Sequence, residues 1–222
     1  MNRVIRALAV TTFAVLAIAA TGNWNATVAQ TKGGHVLGNP AAKTKLIEFV
    51  SYTCPHCAHF EQEAGGAIKL GWVQSGKVSV EVRHVVRDPV DLTVAMLTNC
   101  GAKEKFFQNH AMFMLSQDKW ISREQLALPS QRQRWSNGTL AARWRAIASD
   151  LGFYDMMETR GYSRVQVDQC LGDEAAAKRI AEQSEADATT YGVNSTPSFA
   201  LNGKLLSDVH TWDQLQKAVK LQ

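Results

Sequence analysis

Four residues, Cys54-Pro55-His56-Cys57, constrain this 222-residue chain more than any other stretch. They follow a short apolar run, residues 45–51 (KLIEFVS), suited to a buried strand. They also open a helix, because Pro55 fits the first helical position, where its missing N–H costs nothing. From there Cys57, Phe60, Ala64, Ile68 and Trp72 recur at helical spacing. Residues 77–86 then alternate, with Val78, Val80 and Val82 on one face and Ser79, Glu81 and Arg83 on the other, which is the pattern of a strand. A strand, a helical crossover and a second strand make a parallel βαβ unit with two cysteines at its first turn.

The spacing of the two cysteines has a chemical consequence. Cys54 sits at the helix N-terminus and Cys57 a turn inside, so the sulfurs can be bonded or free without unfolding anything. Unpaired N–H groups and the helix dipole favour an anion there, so Cys54 is expected to be a thiolate at neutral pH, with His56 adding positive charge if protonated. Stabilising that thiolate stabilises the reduced form and makes the disulfide oxidising. Two other readings use the same residues. Cys54, His56, Cys57 and His59 are soft, close metal ligands, although the second half of a zinc pattern is absent. A purely structural staple is the other, although a two-residue gap is an unusual one.

The chain as a whole has 45% hydrophobic residues and a formal charge of +4, a globular composition. Arg3 and Arg6 precede an apolar run over 7–20 and then small residues, the three-part pattern of a secretory signal peptide. Cleavage could follow residue 19, 20 or 29. Without those two arginines, 22 basic residues face 20 acidic ones, too small a surplus for a nucleic-acid partner. Export would place the cysteines where disulfides persist. A glycine-rich segment, 30–40, holds at most one short strand.

After Asp88-Pro89, an N-cap followed by a first-turn proline, the chain to Leu171 reads as successive short helices. Ser122-x-x-Gln125 and Ser163-x-x-Gln166 fit capping boxes, and Gly101, Gly152 and Gly172 fit helix stops. A longer helix over 173–191 ends at Gly192. Residues 197–201 read as a strand, Asn202-Gly203 as a hairpin turn and Lys204-Leu205 as the returning strand. Thr211 caps a last helix to Leu221.

A C-x-x-C beside a βαβ pattern reads as a thioredoxin-like redox site. The run Ile47-Glu48-Phe49-x-Ser51-Tyr52-x-Cys54-Pro55-His56-Cys57-x-x-Phe60-Glu61 resembles the DsbA family of periplasmic thiol–disulfide oxidoreductases. The segment from Gly192 to Phe199, with Thr196-Pro197 inside it, is similar to that family's cis-proline loop, and the helical block matches its insertion in position and size. The resemblance implies an α/β chain with a thioredoxin fold and an inserted α-helical domain. Its parts are a leader over 1–29, a first thioredoxin part over 30–88, the insertion over 89–171 and a second thioredoxin part over 172–222. It implies that Cys54 is an exposed nucleophile, Cys57 a buried resolving thiol and Thr196-Pro197 a cis peptide facing them. Neither cofactor nor metal is called for.

The resemblance also implies a periplasmic monomer that introduces disulfides into reduced or unfolded exported proteins and is reoxidised by a membrane quinone-linked oxidase of the DsbB kind. Glu48 interrupts an apolar strand six residues before Cys54, and Glu61 lies four after Cys57 on the same helix face. With raised pKa values, either could exchange the proton of Cys57, a role the resemblance supports; the plainer readings are an acid at a strand edge and one on a solvated helix face. Cys100 and Cys170, both in the helical block, are expected to pair in an oxidising compartment, as in many DsbA-like proteins, rather than remain two buried thiols. A disulfide isomerase or reductase kept reduced by a partner is the nearest rival, since Thr before the cis-proline occurs in isomerase-type relatives. Those relatives carry an N-terminal dimerisation domain, for which the stretch between leader and first strand is too short. The basic, tryptophan-containing stretch 119–145 is either a docking patch or, more often for such stretches, helices with solvated basic faces. His35, His84, His110 and His210 read as structural or surface residues.

Overall fold

A computed structural model describes residues 22–219; of the leader assigned to 1–29, residues 1–21 lie outside them. A six-stranded sheet is built from β1 (Val28–Gln30), β2 (Gly34–Gly38), β3 (Thr44–Val50), β4 (Val78–His84), β5 (Ser198–Leu201) and β6 (Lys204–Leu205). Its spatial order is β1-β2-β4-β3-β5-β6, and only β3 and β4 run parallel. Their connection is α1 (Pro55–Ala67) continued by a π-helical turn, Ile68–Val73. Between β4 and β5 come α2 (Pro89–Thr98), α3 (Phe106–Leu115), α4 (Gln117–Gln125), α5 (Pro129–Ser136), α6 (Leu140–Leu151), α7 (Phe153–Thr159), α8 (Arg164–Cys170) and α9 (Glu174–Tyr191), and α10 (Trp212–Ala218) closes the described chain. The fold is thus a thioredoxin-type sheet with a helical block inserted after β4.

The alternation of β3 sorts its side chains. Ile47 and Phe49 face one way, where Tyr191 at the end of α9 packs on Phe49 with ring centroids 5.0 Å apart. Leu46 and Val50 face the main core, where Phe60 of α1 meets Phe199 of β5 at 4.8 Å. Glu48 shares the parity of Leu46 and Val50 and therefore points into that core. In the helical block Trp120, Phe113 and Phe153 pack edge to face, with centroids 5.3 and 5.5 Å apart. The disulfide Cys100–Cys170 joins the turn after α2 to the last residue of α8.

Several local expectations are met by named contacts. Asp88 caps α2 by accepting from the Asp91 N–H, Ser163 and Thr211 form capping boxes with Gln166 and Gln214, and Gly192 ends α9 in the left-handed region. Asn202 and Gly203, at φ 50° and 85°, form the tight turn between β5 and β6.

Others need correction. The segment 30–40 holds the one short strand expected there, β2, after the last residue of β1, but the third candidate cleavage point, Ala29, lies inside β1, a strand too short and exposed to leave an alternating pattern. Ser122 is not a cap: α4 begins at Gln117, and the Ser122 hydroxyl bonds back to the Asp118 carbonyl at 2.6 Å, as serine does inside helices. The helix expected through Trp72 widens into a π turn, with Gln74 N–H bonding Lys69 O; this buries both Ile68 and Val73, five residues apart. The last helix ends at Ala218 rather than Leu221, which is outside the described residues. In 119–145 all three tryptophans are buried, and Arg123, Arg132, Arg134, Arg143 and Arg145 each bond a carbonyl or carboxylate of the same chain. This agrees with the plainer reading of that stretch, helices with tryptophans on the core side, and its arginines join neighbouring helices.

The disulfide spans 70 residues of sequence, and a cross-link of that loop length contributes about 2–4 kcal/mol by limiting the unfolded chain. Replacing Cys100 and Cys170 together by Ala is therefore expected to lower unfolding stability by about that amount in urea titrations; an unchanged midpoint would contradict it.

Candidate active site

Three segments converge on Cys54. The first is the end of β3: Cys54 is the N-cap of α1, with Pro55 at the first helical position. Its carbonyl accepts from the Cys57 N–H at 3.1 Å, so the turn that starts the helix also brings the second sulfur under the first. The second segment is the loop before β5. The Thr196-Pro197 peptide is cis, and the Cys54 sulfur lies 3.2 Å from the Thr196 carbonyl oxygen. The third is the start of the helical block. Asp91, buried on α2, accepts from the Ser51 hydroxyl at 2.6 Å, the Tyr52 N–H at 2.8 Å and the Arg87 N–H at 3.1 Å. Gln117, the first residue of α4, donates to the carbonyls of both Tyr52 and Cys54, at 2.6 and 2.9 Å.

One geometric expectation fails. Cys54 was read as exposed, yet it is only 3% exposed, against 1% for Cys57. The Thr196-Pro197 loop lies over it, so the sulfur is reached past that loop. Pro55 and His56 are exposed beside it. His59 pairs with Glu63 at 3.1 Å on the outer side of α1, so the four residues weighed as metal ligands divide into two buried sulfurs and two outward imidazoles.

The two sulfurs differ sharply in acidity. The pKa of Cys54 is pulled down to about 4, chiefly by the hydrogen bond from the Cys57 thiol. Burial opposes this, while the Thr196 hydroxyl and the N–H groups of Cys57 and His56 add to it. Burial pushes the Cys57 thiol well above its ordinary value, and its bond to the Cys54 anion raises it further. A thiolate above and a thiol below is the state in which one proton serves both sulfurs.

A buried acid pair stands on the same two elements, β3 and α1. Glu48 is 5% and Glu61 8% exposed, one on a central strand and the other on the inner face of α1, so neither is at an edge or on a solvated face. Burial pushes the pKa of Glu48 up to about 8, and the neighbouring Glu61 carboxylate adds to it. Burial also raises Glu61, against the pull of Lys69, whose ammonium is 3.5 Å away. Gly65 leaves the room: a Cβ there would stand 2.5 Å from the Glu61 carboxylate oxygen, so a larger residue would push that carboxylate from its place.

His110 approaches Glu61 at 3.9 Å, but burial holds its pKa down at about 3, so the contact is not an ion pair. Its Nδ1 lies 3.0 Å from the Tyr52 hydroxyl, which donates to Thr98, so His110 carries its proton on Nδ1 and donates to Tyr52. On the other side, His210 Nδ1 lies 2.8 Å from the Pro197 carbonyl oxygen and steadies the cis-proline loop. Asp91, Gln117, Gly65, His110 and Arg87 carry no motif; only the buried polar character of some of them at helix-start or helix-face positions could have drawn attention.

Glu48 sets a pH dependence of stability. With its folded pKa above the unfolded one, the folded state binds more protons, so stability falls as pH rises from the ordinary carboxylate range towards 8. Glu48→Gln removes that loss: the variant should gain on the wild type between pH 5 and 8, on the order of a few kcal/mol at the upper end. Denaturation at several pH values measures it, and a constant difference would contradict it.

Residues 30–221 match the family model described as thioredoxin. A protein-disulfide isomerase from Novosphingobium aromaticivorans is 52% identical, with 84% of this chain and 95% of that one covered and a TM-score of 0.80. Alpha-DsbA1 of Wolbachia pipientis is 25% identical over 82% of this chain and 79% of that one, with a TM-score of 0.58. A Rickettsia typhi protein named as a protein-disulfide oxidoreductase is 28% identical over 185 residues, 83% of this chain. The chain spans about 60% of the length of that curated relative and 59% of its Rickettsia prowazekii counterpart. With a thioredoxin sheet, a helical block after β4 and a cysteine pair under a cis-proline loop, the chain belongs to the thioredoxin family.

Proposed function

We propose that the protein is an exported thiol–disulfide oxidase that introduces disulfides into reduced or unfolded exported proteins. The observation that carries this reading is the acidity of Cys54 beneath the Thr196-Pro197 loop, set against the reluctance of Cys57 to ionise. In the oxidised protein a substrate thiolate attacks the Cys54 sulfur. The Cys54–Cys57 bond breaks, a mixed disulfide forms, and Cys57 leaves and takes up a proton. A second substrate thiolate then attacks the substrate sulfur of the mixed disulfide and releases Cys54 as a thiolate. The substrate loses two electrons to the protein's disulfide, which becomes the Cys54/Cys57 dithiol. Glu48 and Glu61, both buried, would deliver and recover the proton of Cys57. A membrane quinone-linked oxidase of the DsbB kind would restore the disulfide, with the protein acting as a monomer in the periplasm. The Cys100–Cys170 bond favours an oxidising compartment.

Isomerisation is the second reading. It is favoured by the name of the Novosphingobium relative and by Thr196 before the proline. The two readings differ in which redox form acts: an oxidase works from its disulfide, an isomerase from its free thiolate.

Two reactions separate them. The oxidised protein should transfer one disulfide to a reduced unfolded substrate, Cys57→Ser should trap a mixed disulfide through Cys54, and Cys54→Ser should trap none. If instead only the reduced protein acts, and acts by rescuing a scrambled substrate, the protein is an isomerase.

A further inference from the structure

Arg87 lies at the junction of β4 and the helical block, outside the Cys54-Pro55-His56-Cys57 motif and outside the cis-proline loop. Its side chain crosses to that loop: Nη2 donates to the Thr196 hydroxyl oxygen at 2.7 Å. Its backbone N–H is fixed at the same time by the buried Asp91 carboxylate, which also holds Ser51 and Tyr52 just before Cys54. The guanidinium is exposed and forms no salt bridge among the described residues, while Thr196 is buried at 6% exposure. An arginine free to extend into water is thus spent on one neutral hydroxyl.

The consequence lies in the proton of that hydroxyl. A threonine hydroxyl has one hydrogen and accepts through its lone pairs. With Arg87 donating to the oxygen, the hydrogen is left to point elsewhere, and the Cys54 sulfur stands beside the same residue, 3.2 Å from its carbonyl oxygen. A hydroxyl that accepts from a cation is also a stronger donor, because hydrogen bonds in a chain polarise one another. The Thr196 carbonyl, 3.2 Å from the Cys54 sulfur, presents an acceptor to it and disfavours the anion. Whether the loop supports or opposes the thiolate therefore turns on how the Thr196 hydroxyl is held.

We propose that Arg87 is a positioning residue for the redox couple: it orients the Thr196 hydroxyl to donate to the Cys54 thiolate, and so ties the acidity of Cys54 to the docking of the helical block. This rests on the reading of Cys54 as the nucleophile. Other titratable or charged groups face Cys54 from Cys57 and His56 on α1, from Asp88 and Asp91 on α2, and from His210 beyond Pro197. Apart from Cys57, none of them bonds the Thr196 hydroxyl, so the effect of Arg87 should pass through that one oxygen.

The test is the ultraviolet thiolate titration of Cys54 in the reduced full-length protein, with melting temperature as a fold control. Arg87→Met should raise the midpoint by about one pH unit, a tenfold loss of thiolate at a given pH below it. Arg87→Lys should recover part of that shift. Thr196→Val should raise the midpoint as well, and in its background Arg87→Met should move nothing further. Additive shifts would show a bare charge effect and overturn the proposal, as would an unchanged midpoint in Arg87→Met. A wild-type midpoint near that of free cysteine would instead overturn the nucleophile reading on which the proposal rests.

Discussion

The pairing of Cys54 and Cys57 at the start of α1 is the constraint on which the site depends. It forms because a helix begins at Cys54: the N-cap carbonyl accepts from Cys57 N–H, and the turn this closes sets one sulfur above the other. It matters because it is asymmetric. Cys54 is favoured as an anion by the Cys57 thiol, the Thr196 hydroxyl and the helix-start N–H groups, whereas Cys57 is left in the apolar core. Unequal surroundings for two identical side chains make one a leaving group and the other a proton holder.

Keeping that contact in place falls largely to the helical block. Asp91 and Gln117, from two of its helices, bond the segment Ser51–Cys54 through two side-chain or backbone donors and two carbonyls. The active-site turn is therefore clamped between the end of a central strand and an inserted domain. The acid pair follows the same economy: strand alternation aims Glu48 into the core, and Gly65 clears the space that Glu61 needs. Burial raises the pKa of both acids, and at Glu61 the Lys69 ammonium, 3.5 Å away, pulls the other way.

The reactive couple, the cis-proline loop and the βαβ unit were legible in the sequence because each depends on residues close together in the chain. Cys54 and Cys57 share one turn, and Asn202-Gly203 carries its own backbone preference. What sequence could not show were the contacts made across distance. Gln117 is 63 residues from Cys54 and Arg87 is 109 from Thr196, and neither stands in a pattern of its own. The burial of Cys54 was missed for the same reason: the loop that covers it arrives from 142 residues away. Ser122 misled because a cap and an interior serine bonding backwards look alike until the helix start is known.

The central claim is that the fold stabilises the reduced couple through the Cys54 thiolate, which makes the disulfide oxidising. Because about 1.4 kcal/mol corresponds to 30 mV for a two-electron couple, a thiolate favoured by several kcal/mol should raise the potential by roughly 100 mV or more. The reduction potential of Cys54–Cys57, measured by equilibrium with glutathione, tests this most directly. The account predicts a value above about −180 mV, towards the strongly oxidising end; a value near about −270 mV, that of a general reductant, would contradict it.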